Sequence, residues 1–126
     1  MPLNETFGWL WLLAGTVSGL ALGLRFQREE WMGGYGSLRR RLIRLGHISF
    51  FGLGFLNIVF ALGAARAGLA PGTLALASWS LVVGGITMPL CCGLMAWRPA
   101  FQPAFAVPVA SLALGVAITA LGMLRR

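Results

Sequence analysis

Four apolar runs, residues 7–24, 45–65, 74–96 and 104–124, make up most of this 126-residue chain, and none contains an Asp, Glu, Lys or Arg. A helix rises 1.5 Å per residue and needs about 20 residues to cross the ~30 Å hydrocarbon layer, so each run has the length of a membrane span. With 58% hydrophobic and 10% charged residues, the composition is far from that of a water-soluble domain. The expected fold is a single all-α integral membrane domain. Short connections make consecutive helices antiparallel neighbours, which gives four transmembrane helices in an up-and-down bundle.

The net charge of +7 comes from arginine alone, opposed by Glu5, Glu29 and Glu30. Arg25, Arg28, Arg39, Arg40, Arg41 and Arg44 fall in the connection 25–44, and Arg98 falls between runs three and four. Arg66, Arg125 and Arg126 fall on the opposite side. The positive-inside rule then places the first and third connections in the cytoplasm and both termini on the non-cytoplasmic side, in a bacterial inner membrane. The flank before run one carries Glu5 and no basic residue, so run one is expected to be a retained anchor and not a cleaved signal. Arg39, Arg40, Arg41 and Arg44 are expected to meet anionic lipid headgroups or an acidic partner subunit, and nucleic acid is not expected as a partner.

Within run one, Gly15, Gly19 and Gly23 repeat every four residues, a spacing that lets a second helix approach at backbone distance. That helix belongs either to this chain or to another membrane subunit or copy. Gly33, Gly34 and Gly36 mark a bend in the first connection, and Ser37 is placed to cap the second helix. The stretch 70–73 reads as a turn between runs two and three. Trp9, Trp11, Trp31, Trp79 and Trp97 all lie toward run ends, as an interfacial aromatic belt would.

The runs contain no carboxylate, which removes acid pairs and makes stand-alone proton-coupled or cation-coupled transport unexpected. No catalytic set is present, and a non-enzymatic role is expected. The polar side chains that remain point to one layer. His47, the single histidine, enters run two from the arginine-rich side, and Met88, Cys91, Cys92 and Met95 on run three follow i, i+3, i+4, i+7 spacing at a similar depth. Imidazole, thiolate and thioether together suit haem b or copper. His47 with Met88 or Met95 is the candidate haem set, and His47 with Cys91 and Cys92 is the candidate metal set. Pro89 lies among them and cannot donate to the carbonyl of Gly85, so a kink is expected there. Adjacent cysteines on a helix point apart, so no disulfide is expected between Cys91 and Cys92. Asn57 lies deeper, where its amide needs an interhelical hydrogen bond.

Two functions fit these features. One is a small accessory subunit of a bioenergetic electron-transfer complex, assembled through glycine faces and holding a cofactor near His47. The other is a homo-oligomeric channel or exporter, which needs polar residues aligned through the membrane. Asn57, Thr87 and Ser111 are sparse for that purpose.

Overall fold

The computed structural model describes residues 2–125. Met1 and Arg126, which entered the reading of the flanks, lie outside them. Among the described residues there are four long helices: α1 (Pro2–Phe26), α2 (Leu38–Gly63), α3 (Pro71–Trp97) and α4 (Ala106–Leu124). All four are long and apolar enough to cross a membrane, and the protein is an integral membrane protein. Short 3-10 turns join them at Trp31–Gly33, Ala64–Ala67 and Pro99–Phe105.

Each helix packs on the next in sequence, α1 on α2, α2 on α3 and α3 on α4. The antiparallel register shows in the contacts: Gly8 meets Gly54 and Gly19 meets His47 across α1 and α2, while Gly46 meets Cys92 across α2 and α3. Gly115 meets Leu81 and Ala77 across α3 and α4. The start of α1 and the end of α4 therefore lie at the same end of the bundle. α3 is the central helix, with 44% of its apolar window buried against 11% for the last span. Phe60, Ala64, Ala77 and Leu81 form the buried core, in the half away from the arginine-rich connection.

Helix ends follow local chemistry. Ser37 is the N-cap of α2: its Oγ accepts the Arg40 N–H at 3.2 Å and donates to the Met32 carbonyl at 2.6 Å. The second of these bonds ties down a segment in which Met32, Gly33 and Gly34 all have positive φ, a region that Met32, unlike glycine, enters at a cost. The expected turn at 70–73 is displaced. Pro71 is the first residue of α3, where its missing N–H is no loss, and the reversal comes earlier, at Gly68 with φ of 60°.

The four arginines that open α2 divide. Arg39 and Arg41 are exposed, and Arg44 lies over the Tyr35 ring at 4.5 Å. Arg40 is 2% exposed and turned inward, so it does not face headgroups. Its guanidinium donates to the Phe26 carbonyl at 2.6 Å and the Glu29 carbonyl at 3.1 Å, and it stacks on Phe26 at 4.7 Å. A cation here answers an orphan carbonyl at the negative end of α1 and folds the connection back onto the bundle.

Candidate functional site

Two polar layers lie in the bundle, and they differ in whether any hydrogen-bonding capacity is left over. The upper layer joins three helices. Asn4 Nδ2 donates to Asn57 Oδ1 at 2.7 Å and to the Ser78 carbonyl at 3.1 Å, while the Ser78 hydroxyl donates to Asn4 Oδ1. Asn57 Nδ2 donates in turn to the Leu53 carbonyl at 2.9 Å. Asn4, Asn57 and Ser78 are all 0% exposed. The expected interhelical bond of Asn57 is present, and its amide is committed to the protein and not to a pathway. Asn4 and Ser78 were not legible as its partners. Asn4 precedes the first uncharged run, and a lone serine in an apolar helix ordinarily bonds its own preceding turn. Thr87 and Thr119 do so, to the Val83 and Gly115 carbonyls.

Just below this layer Trp11 crosses from α1 to α3, and its indole N–H donates to the Gly85 carbonyl at 3.0 Å. Pro89 explains why that carbonyl is available: it stands four residues on, lacks an N–H, and leaves Gly85 without its helical donor. Gly85 also has no side chain to block Phe7, whose ring would lie 2.8 Å from a Cβ there and stacks on Trp11 at 4.4 Å. Trp11 thus belongs to the interior and not to the interfacial belt expected from its place near a run end. Trp9, Trp79 and Trp97 are exposed. Trp11→Phe is expected to cost about 1–3 kcal/mol through the orphaned carbonyl. In a Pro89→Ala background, where residue 89 can donate to Gly85, the same change should cost far less. Unfolding titrations of the single and double variants in mixed micelles measure the difference.

Below Trp11 the facing residues become small, and α1 and α3 part. Ser18 and Ala21 on α1, Gly46 on α2 and Gly93 on α3 leave a cleft of about 380 Å³. Trp11, Phe50 and Ile86 line its upper end, Leu22 and Leu90 flank it on α1 and α3, and α2 forms the floor with Leu42. Such a volume is at the small end of the roughly 300–1,000 Å³ of ligand sites. The polar groups facing this apolar space are few: His47, Ser18 and Cys92 line it. A second groove of about 270 Å³ between α2 and α4 has, among the described residues, only Thr119 as a polar lining residue, and that hydroxyl is bonded to its own helix.

His47 is held by α1. Its Nδ1 lies 3.1 Å from Ser18 Oγ, which also reaches the Gly15 carbonyl at 3.0 Å. Its ring meets the Phe51 ring edge to face at 5.4 Å and lies against Gly19, where a Cβ would come within 2.8 Å of Cε1 and 3.3 Å of Nε2. Gly19 is therefore small to seat the imidazole, Gly15 is small to seat Phe50 and Phe51, and Gly23 meets nothing within 4 Å. The glycine face that carries the α1–α2 contact is Gly8, Gly15 and Gly19 against Gly54, His47 and the phenylalanines.

The sulfur residues sit at the depth of His47, but the division between the two sides of α3 runs through them. Gly46 lies against Cys92, whose Cβ would be 3.2 Å from a side chain there, and Cys92 lines the cleft. Cys91, about 100° further around the helix, points to the other side and donates its S–H to the Ala104 carbonyl at 3.4 Å. Met88 and Met95 fall between the two cysteines by helical spacing, Met88 nearer Cys92 and Met95 nearer Cys91, and neither lines the cleft. Both cysteines are free. Among the described residues no three His, Cys, Asp or Glu side chains come together. Compared with protein-family models, curated proteins and solved structures, the chain has no match.

Proposed function

We propose that the protein is a small membrane subunit of a larger bioenergetic complex and that it holds a lipid-soluble group in the cleft between α1 and α3. One observation carries this reading: the single histidine of the chain stands within a span and opens on an apolar cleft, positioned by a hydroxyl from another helix. An ionisable side chain at membrane depth is costly, and function is its usual reason. The other interior polar groups with known partners, Asn4, Asn57, Ser78 and Trp11, are bonded within the protein. A group with one polar end and an apolar body fits the lining. A haem or a copper ion would draw on His47 with Cys92 or with a ligand from a partner subunit.

The arginine distribution favours a cytoplasmic position for the 27–37 connection, with the cleft beside it in the inner leaflet. Arg39, Arg41 and Arg44 are then the residues of α2 that meet anionic headgroups or an acidic neighbour.

The test is purification of the tagged protein from its own membrane in mild detergent. Co-purifying subunits are identified, a reduced-minus-oxidised visible spectrum is taken, and the organic extract is analysed by mass spectrometry. A bound chromophore or non-phospholipid compound near one per chain is expected, together with partner subunits. His47→Ala should remove the compound and leave the elution volume unchanged. A lone chain that is colourless and carries only bulk phospholipid would remove the proposal.

A further inference from the structure

We infer that the cleft is built for a ligand oxygen that alternates between carbonyl and hydroxyl, as in a lipid-soluble quinone and its quinol. The inference rests on the reading of the cleft as a ligand site and names the ligand class. Ser18 has one hydroxyl proton and two acceptors in reach, the Gly15 carbonyl at 3.0 Å and His47 Nδ1 at 3.1 Å. When the proton is on Gly15, the serine oxygen takes the Nδ1–H of the imidazole, and Nε2 is left with a bare lone pair. When the hydroxyl turns to Nδ1, that nitrogen is the acceptor and Nε2 carries the hydrogen. Ser18 therefore pairs with either imidazole tautomer, and Nε2 is an acceptor in one and a donor in the other; the exchange moves one proton from Nδ1 to Nε2 through solvent while the site is empty, with no net charge gained and no heavy atom displaced.

Few surroundings give that exchange such weight. The cleft is apolar, and an oxygen entering it without a partner loses its hydration. An Nε2 fixed as a donor would serve a carbonyl and oppose a hydroxyl, and one fixed as an acceptor would do the reverse. The Ser18 and His47 pair serves both, so the two oxidation states of one carrier bind alike. Gly19 keeps the ring in place, because any side chain there would strike Cε1 and Nε2. His47 also stands three residues beyond Arg44, the last charge on α2, which places a head group just below the interface and its tail in the bilayer. The step is binding alone; electrons and protons stay on the carrier.

The experiment titrates the purified chain in nanodiscs, under argon, with decylubiquinone, its quinol, and decylbenzene as a hydrocarbon of similar tail. Quinone and quinol are expected to bind alike, each about tenfold more tightly than decylbenzene, the factor that ~1.4 kcal/mol supplies. His47→Leu, checked for an unchanged unfolding midpoint, should bring both down to the hydrocarbon. Gly19→Ala should weaken both while leaving every polar group present. Ser18→Ala, which removes the rotating proton, should separate the two affinities. Decylbenzene binding as well as the quinone would overturn the inference and leave the cleft a lipid-soluble site. Binding of only one oxidation state, or a Ser18→Ala variant with both affinities unchanged, would also overturn it. If none of the three compounds binds, the reading of the cleft fails as well.

Discussion

Gly8→Leu is expected to detach α1 from α2, the largest effect of any single substitution in the bundle. A Cβ at residue 8 would stand 2.5 Å from Ile58 Cγ1 and 2.6 Å from the Gly54 carbonyl oxygen. In return, a Cβ on Gly54 would stand 3.0 Å from the Gly8 carbonyl. The two helices thus meet backbone to backbone, and a backbone oxygen cannot rotate away as a side chain can. Even Gly8→Ala must move a helix and should cost about 1–3 kcal/mol, the usual range for overpacking. Leucine needs several times that displacement and should leave no folded fraction by a detergent unfolding titration followed by circular dichroism. Gly23→Ala is the control. Nothing lies within 4 Å of that position, so alanine there should be neutral or gain up to about 1 kcal/mol from helix propensity.

Asn57→Ala is expected to destabilise the protein by about 2–4 kcal/mol, the sum of an orphaned polar group and a small cavity. The hydrogen bonds themselves are not the main term, because interhelical bonds in membranes average only about 0.6 kcal/mol when both partners are removed. The decisive cost is the Asn4 N–H left without Asn57 Oδ1 in a layer that is fully buried. Asn4→Ala should be as damaging, since it strips Asn57 Oδ1 of its donor and Ser78 of its acceptor. The double variant leaves neither amide behind and should cost clearly less than the two singles together. Simple additivity in that cycle would mean that the layer does not act as a unit.

These two sites show what the sequence disclosed and what it did not. Uncharged runs of bilayer length mark the four helices directly, because a charge within a span is expensive and length is set by the membrane. Partner choice between helices has no such one-dimensional signal. Gly15, Gly19 and Gly23 formed the regular stripe, yet the closest contact belongs to Gly8. Gly23 has nothing within 4 Å, and a four-residue spacing does not report where two helices part. Asn57 was recognisable as a residue in need of a partner, but Asn4 lay outside the apolar run, and its identity depended on where α1 begins. For Trp11, position near a run end suggested the interface, whereas the carbonyl freed by Pro89 drew it inward.

The candidate site was half legible on the same grounds. Antiparallel order brings His47 level with Cys92, as the register of Gly46 on α3 shows. Which sulfur atoms face α2 was not legible, because residues 88, 91, 92 and 95 share a broad face that is divided between α2 and the Pro99–Phe105 turn. Ser18 had an ordinary backbone bond available and gave no sign of its second partner, His47.

The most direct measurement is an experimental structure of the protein purified from its own membrane, at a resolution that separates a ring from an acyl chain. The expected result is non-protein density in the cleft between Trp11, His47 and Cys92, with a polar atom at hydrogen-bond distance from His47 Nε2. A cleft closed by Leu22 and Leu90, or one holding only continuous acyl-chain density with His47 turned away from it, would contradict the account.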